Sequence, residues 1–391
     1  MSKELYPKHL ATEINNRVAK IAESLKANGI DAILITDNAN LFYTASYIFS
    51  GYTFINADGS VKYYVKRPNN LVNDNIIFIR KPEQIAETAD VQIANVAFEL
   101  DTAPYSEIQR LQKIFPQAKI HNGSAIMRSC RAIKSEYEIS QLKESGVHHA
   151  MAYKHIPALV KEGMSDIKLQ IEIERTLRME GSLGAFRISG NSMEIFMGSL
   201  IVGDNADNPS PYDFAMGGEG LNRSLPVGSN GTIIKRGTTI MVDMGGNFNG
   251  YMTDMTRVFN IGAVNELSQK AHNLSIAITK ELSVIGKAGV AASELYNRAI
   301  EMVQAEGLAD YFMGHKQKAG FIGHGVGIEI NEIPVIAPKS RDVLEVGNTI
   351  ALEPKFVIPG VGAVGIENTY VVTEDGLELL TNFSEEIHNV E

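Results

Sequence analysis

Apolar and polar positions along the first third of the chain follow two alternating periods. Residues 15–28 repeat with the helical spacing and stop at Gly29, and the short apolar run Ala32-Ile33-Leu34-Ile35 follows. Further strand-like stretches cover residues 60–66, 75–80 and 91–100, and residues 106–115 return to the helical period before Pro116 ends it. Helix and strand signals in turn predict an α/β domain.

A charged stretch over residues 128–136 leads into a long helical pattern in which Ile139, Leu142, Val147 and Ala150 can share one face. The predicted boundary lies there, giving domains 1–130 and 131–391. A second helix is predicted from Ser165, a good N-cap, to Glu180, with Gly181 as its stop. Glycines crowd residues 217–250, helices follow over 265–286 and 292–307, and strands resume after Gly323. Helices followed by strands thus occur twice, in 136–260 and 265–391, which predicts a duplicated α+β architecture for the second domain.

Composition narrows the class. Apolar residues form 44% and charged residues 21% of the 391, ordinary globular usage. No apolar run approaches the ~20 residues that span a bilayer, so a cytoplasmic protein without a membrane partner is expected. The net charge of −10 comes without any Lys/Arg-rich block, which argues against nucleic acid. Cys130 is the single cysteine; it excludes an internal disulfide and reads as a buried, inert thiol.

The chemistry concentrates late in the chain. Residues 239–243 form an apolar strand ending in Asp243, and residues 245–250 supply turn residues for a return that carries Asp254. A two-residue turn at Phe248-Asn249 sets the carboxylates opposite each other, and one at Asn249-Gly250 sets them diagonally on the same face. Carboxylates that close hold a cation, share a proton, or sit solvated on an exposed hairpin. Glu353 and Glu367 form a second pair around Pro359-Gly360. A three-residue loop at 359–361 sets them opposite, with Gly360 or Gly362 supplying a bulge, whereas a two-residue turn would put them on opposite faces. His324 stands between glycines in Gly323-His324-Gly325, where ligand and backbone can approach closely. Thr253, Thr256, Arg257 and Thr369 are placed to orient these groups.

At these residues the chain resembles the pita-bread metallopeptidases, whose ligand order Asp, Asp, His, Glu, Glu falls on Asp243, Asp254, His324, Glu353 and Glu367, spaced by 11, 70, 29 and 14 residues. The preceding α/β domain and the link Arg131-Ala132-Ile133-Lys134-Ser135-Glu136 resemble the creatinase/prolidase branch. The resemblance implies an α+β fold with a C-terminal pita-bread domain behind a creatinase N-terminal-like domain, a homodimer, and two divalent ions. Mn is favoured among Mn, Co, Zn and Fe, which suit four carboxylates and one imidazole. Asp243 would then chelate one ion, His324 and Glu353 the other, and Asp254 and Glu367 would bridge both, with Glu353 as catalytic proton shuttle. The implied reaction is cleavage of a peptide before proline by a bridging hydroxide.

Three positions depart from the family. Val227 and Asn331 stand where its peptidases carry histidines, and Gly365 stands where many Xaa-Pro aminopeptidases carry arginine. Asn331 keeps a donor and is the expected substrate contact; Val227 does not. An amidinohydrolase- or lyase-like activity on a small polar metabolite is the alternative, and a non-catalytic binding platform a third. His148, His149, His155 and His315 are the remaining candidates for a missing imidazole, and each reads as solvated or structural.

Overall fold

The computed structural model describes residues 2–89, 92–190, 195–212, 214 and 216–390. The chain forms two compact units, Met1–Arg131 and Ala132–Glu391.

The first unit is built on a six-stranded mixed sheet. Its strands run in the order Ile76–Phe78, Val61–Arg67, Ser50–Asn56, Ala32–Ile35, Asn95–Phe98 and Lys119–Asn122. The Ala32–Ile35 strand is buried at every position, which explains why its four apolar residues do not alternate. Sequence periodicity misses the Asn38–Ala45 helix and the Ser50–Asn56 strand. The first is short and capped by Asp37, whose side chain accepts from the Ala39 amide; the second carries Gly51 at a bulge. The strand expected over 91–100 is the shorter Asn95–Phe98, and Val91 lies outside the described residues. Cys130 is buried, and burial pushes its thiol up to about 11.

The second unit repeats one motif. Helices Glu136–Tyr153 and Asp166–Met179 pack on a sheet ordered His388–Asn389, Met252–Asn260, Thr239–Asn247, Gly198–Val202. Helices Glu266–Ile285 and Ala292–Ala305 pack on one ordered Glu332–Ile336, Gly323–Gly325, Thr349–Leu352, Asn368–Val372, Leu377–Leu379. Ser135 closes a capping box with Glu138, and Ser165 accepts from the Lys168 amide, so both helices start where hydroxyl caps predict. The first helix buries most of the face expected for it, with Leu142 and Ala150 buried and Ile139 half-buried, but Val147 is 59% exposed, and Ser145, Gly146 and His149 face inward beside the apolar residues. Polar side chains on that buried face hide its period from an apolar count. Ser145 and His149 are there because they bond across to the next sheet, at the Tyr251 carbonyl and the Thr253 hydroxyl.

The two sheets meet at one backbone bridge. The Thr256 amide donates to the Glu367 carbonyl at 3.3 Å, and the Glu367 amide returns a bond to the Thr256 carbonyl at 3.2 Å. Around it Arg257 is fully buried, with bonds to the carbonyls of Thr256, Glu367, Phe383 and Ser384 and to Asn368 Oδ1. This seam brings ligands from both halves together.

Candidate metal centre

Each ligand position follows from register. The strands Thr239–Asn247 and Met252–Asn260 pair Asp243 with Thr256 and Gly245 with Asp254. The two aspartates are therefore diagonal neighbours on one face, joined by a connection over 248–251 rather than a two-residue turn. Two ladders place the glutamates: Thr349–Leu352 with Asn368–Val372, and Lys355–Ile358 with Gly362–Gly365. Both keep one register around the three-residue loop 359–361, and Gly360 and Gly362 have φ of 80° and 121°. Between the ladders the pairing is interrupted at Glu353-Pro354 and Ile366-Glu367. There Ser275 donates to the Pro354 carbonyl and accepts from the Ile366 amide. His324 reaches the group from the Gly323–Gly325 strand, whose neighbours leave no room for Cβ atoms on either side: one at Gly323 would lie 2.3 Å from the Ala351 carbonyl oxygen.

The five side chains converge into two sets of donor atoms. His324 Nε2 lies 3.5 Å from Glu353 Oε1, 3.8 Å from Asp254 Oδ2 and 3.9 Å from Glu367 Oε1. Donor separations of roughly 3.0–4.4 Å are what one ion with bonds of ~2.0–2.2 Å imposes, so this set fits a divalent cation. Atoms of Asp254, His324 and Glu367 all lie within 4.8 Å of one another. Burial and the neighbouring charges of Glu367, Asp243 and Glu353 push the Asp254 carboxyl well above the usual range, the cost of leaving it without a cation.

The second set faces a residue that sequence reasoning missed. Lys355 Nζ lies 2.8 Å from Asp243 Oδ2, 2.8 Å from Glu353 Oε2 and 2.9 Å from Glu367 Oε2, with its side chain fully buried. Burial alone would push the ammonium down, but Asp243, Glu353 and Glu367 hold it well above the ordinary lysine range. Period-two alternation could have found it: Lys355 is two residues from Glu353, so it shares that face, and a lysine opening the buried run Phe356-Val357-Ile358 needs a partner. The residue paired with it is Gly365, where a Cβ would lie 2.7 Å from the Pro354 carbonyl oxygen and 2.9 Å from Lys355 Cα.

The ligand set floors a cleft whose walls include Phe186, Ile188, Phe214, Met216, Phe321 and Ile330. Asn331 also lines it, but both ends of its amide are engaged: Oδ1 accepts from the Ser189 amide at 2.7 Å and Nδ2 donates to the Ser189 carbonyl at 2.8 Å. Its place is to fasten the segment bearing Ile188. Beside it, Glu332 receives a buried ion pair from Lys134, a residue of the link motif, at 2.9 Å. Val227 is buried and does not line the cleft. Ser199, paired with Asp243, does, and its buried hydroxyl has no hydrogen-bond partner among the described residues. The other histidines stay apart: His149 is buried neutral, pushed down to about 3; His155 pairs with Glu180 and His315 with Asp207. His148 stacks on Phe248.

His272 supports the seam from behind. Its Nε2 bonds the Glu385 carbonyl at 2.7 Å, and its Nδ1 accepts from the Gly365 amide at 3.2 Å, an arrangement that requires the neutral ring. Burial pushes it down to about 4. As pH falls below about 6.5 the unfolded chain takes up a proton that the native ring refuses until about 4, so stability present at neutral pH is lost across that window. At ~1.4 kcal/mol per pH unit, the loss between pH 7 and 5 should be about 2 kcal/mol smaller in His272→Gln than in the wild type. Chemical unfolding at the two pH values checks this, and equal losses would refute it.

Residues 140–374 match the model of metallopeptidase family M24, and residues 17–133 match the creatinase/prolidase N-terminal domain. The chain belongs to metallopeptidase family M24, in its creatinase/prolidase branch. It is 27% identical over 383 residues to an Xaa-Pro dipeptidase of Pyrococcus horikoshii, covering 96% of this chain and 99% of that protein. In structure it is similar to an Xaa-Pro dipeptidase of Bacillus anthracis, with TM-score 0.80, 24% identity and coverage of 96% and 99% of the two chains. An X-Pro aminopeptidase of Thermotoga maritima gives TM-score 0.78 at 21% identity, with coverage of 96% and 99%. These likenesses fix the fold as a creatinase-type N-terminal domain followed by a pita-bread domain.

Proposed function

We propose that the chain is a metal-dependent peptidase that cleaves the bond preceding proline. The observation that carries this is the convergence of His324 with Asp254, Glu353 and Glu367 at the floor of an apolar cleft. Relatives matched along nearly the whole chain are named Xaa-Pro dipeptidases, which favours peptide over the amidinohydrolase- or lyase-like alternative.

A divalent ion bound there, Mn favoured, supplies a polarised carbonyl and a water of lowered pKa. The protein's own groups supply the rest. Phe186, Ile188, Phe214 and Phe321 offer an apolar seat for a prolyl ring and exclude water. Glu353, bound to Lys355 through Oε2, keeps Oε1 toward the cleft, where it can take a proton from the attacking water and deliver it to the leaving nitrogen. Among the described residues that line the cleft there is no lysine or arginine to pair with a terminal carboxylate, which favours peptides longer than two residues. A homodimer in the cytoplasm is the proposed setting; among the described residues no helix is long and apolar enough to cross a membrane.

Purified protein supplied with Mn²⁺ should release the first residue from Xaa-Pro-Yaa tripeptides, leave Xaa-Ala-Yaa intact, and lose activity in a chelator. Failure to cleave any member of an Xaa-Pro library in the metal-loaded state would end the reading.

A further inference from the structure

We infer that the centre takes one divalent cation, and that the ammonium of Lys355 permanently fills the place of the second. Two ions were the expectation from the ligand order, and four carboxylates balance them in charge. The donor atoms, however, divide otherwise. Glu353 and Glu367 each send one oxygen toward His324 and the other to Lys355 Nζ. Asp243 completes the lysine's set, and Asp254 completes that of His324.

The three oxygens at 2.8–2.9 Å from Nζ make the distances of charge-assisted hydrogen bonds. An ion between Asp243, Glu353 and Glu367 would need the same atoms at ~2.0–2.2 Å, in space the nitrogen occupies. Two cations cannot share those oxygens, and the lysine side chain is fully buried, so moving it off them would leave a buried ammonium unpaired. Its backbone is held on both sides: the Met313 amide donates to the Lys355 carbonyl at 2.8 Å, and Gly365 is its ladder partner. The missing side chain at Gly365 leaves the corner of the ladder over which Lys355 reaches diagonally to Glu367. An ammonium and one divalent ion together place three positive charges against the four carboxylates.

This inference rests on the metal-dependent reading of the site but not on its substrate. The test reads metal, not turnover: metal-free protein is dialysed to equilibrium against Mn²⁺, bound metal is counted, and the low-temperature electron paramagnetic resonance spectrum is recorded. The wild type should bind one Mn²⁺ per chain and show the six-line signal of an isolated ion. Lys355→Met should rise to two per chain with an exchange-coupled spectrum. Two ions or an exchange-coupled signal in the wild type would overturn the inference, as would no bound Mn²⁺ at millimolar concentration. A folded Lys355→Met that stays at one would overturn the role given to the ammonium. Should that variant not fold, the wild-type count and spectrum still decide. One ion bound without cleavage of proline peptides would sink the substrate reading alone.

Discussion

His324→Ala should release the divalent ion and lower kcat/KM on an Xaa-Pro substrate by on the order of 10³-fold or more, on the scale of losing a principal source of transition-state stabilisation. His324 is the single nitrogen donor of its set, and the three carboxylate oxygens around it come from Asp254, Glu353 and Glu367. Removing it leaves an all-oxygen site that binds transition-type ions more weakly. The fold should persist, because the ring's one intramolecular hydrogen bond of note is to the adjacent Gly325 carbonyl. Metal counting, far-UV circular dichroism and steady-state kinetics together check this. A variant that kept both its ion and its turnover would show that the centre lies elsewhere.

Arg257→Ala should cost roughly 3–5 kcal/mol of stability, the scale of leaving several buried acceptors unpaired. The guanidinium satisfies four backbone carbonyls and Asn368 Oδ1, all near the seam between the sheets. Its loss orphans acceptors worth ~1–3 kcal/mol each when buried and unpaired. Because Thr256 and Glu367 are among the residues it clamps, metal affinity should fall with stability. Arg257→Lys should recover little, since an ammonium cannot cover that fork of acceptors. Chemical unfolding measured with and without Mn²⁺ checks both points, and an Arg257→Ala midpoint within error of the wild type would refute the role.

Much of this was legible beforehand, and for identifiable reasons. Asp243, Asp254, His324, Glu353 and Glu367 were picked out by their resemblance in order and spacing to a known ligand set, with turn glycines and strand parity in support, and the structure places all five around one floor. Capped helices such as Asp166–Met179 were equally readable. Elements whose burial is not apolar were not. The inward face of Glu136–Tyr153 mixes apolar residues with Ser145 and His149, whose partners lie on a distant strand and its turn, which no local pattern encodes. Asn331 drew notice as a substituted histidine, yet its amide is paired with the backbone of Ser189, a contact spanning 142 residues. Lys355 escaped because a lysine two residues from a ligand reads as surface until both ladders are known to be buried.

The lysine among those carboxylates also changes what the cell must provide. On the inference above, one of the two cationic places is filled by the chain itself, so it cannot be chelated away, exchanged for a wrong metal, or depleted in scarcity. Only the His324 side of the centre is left dependent on the surrounding metal supply.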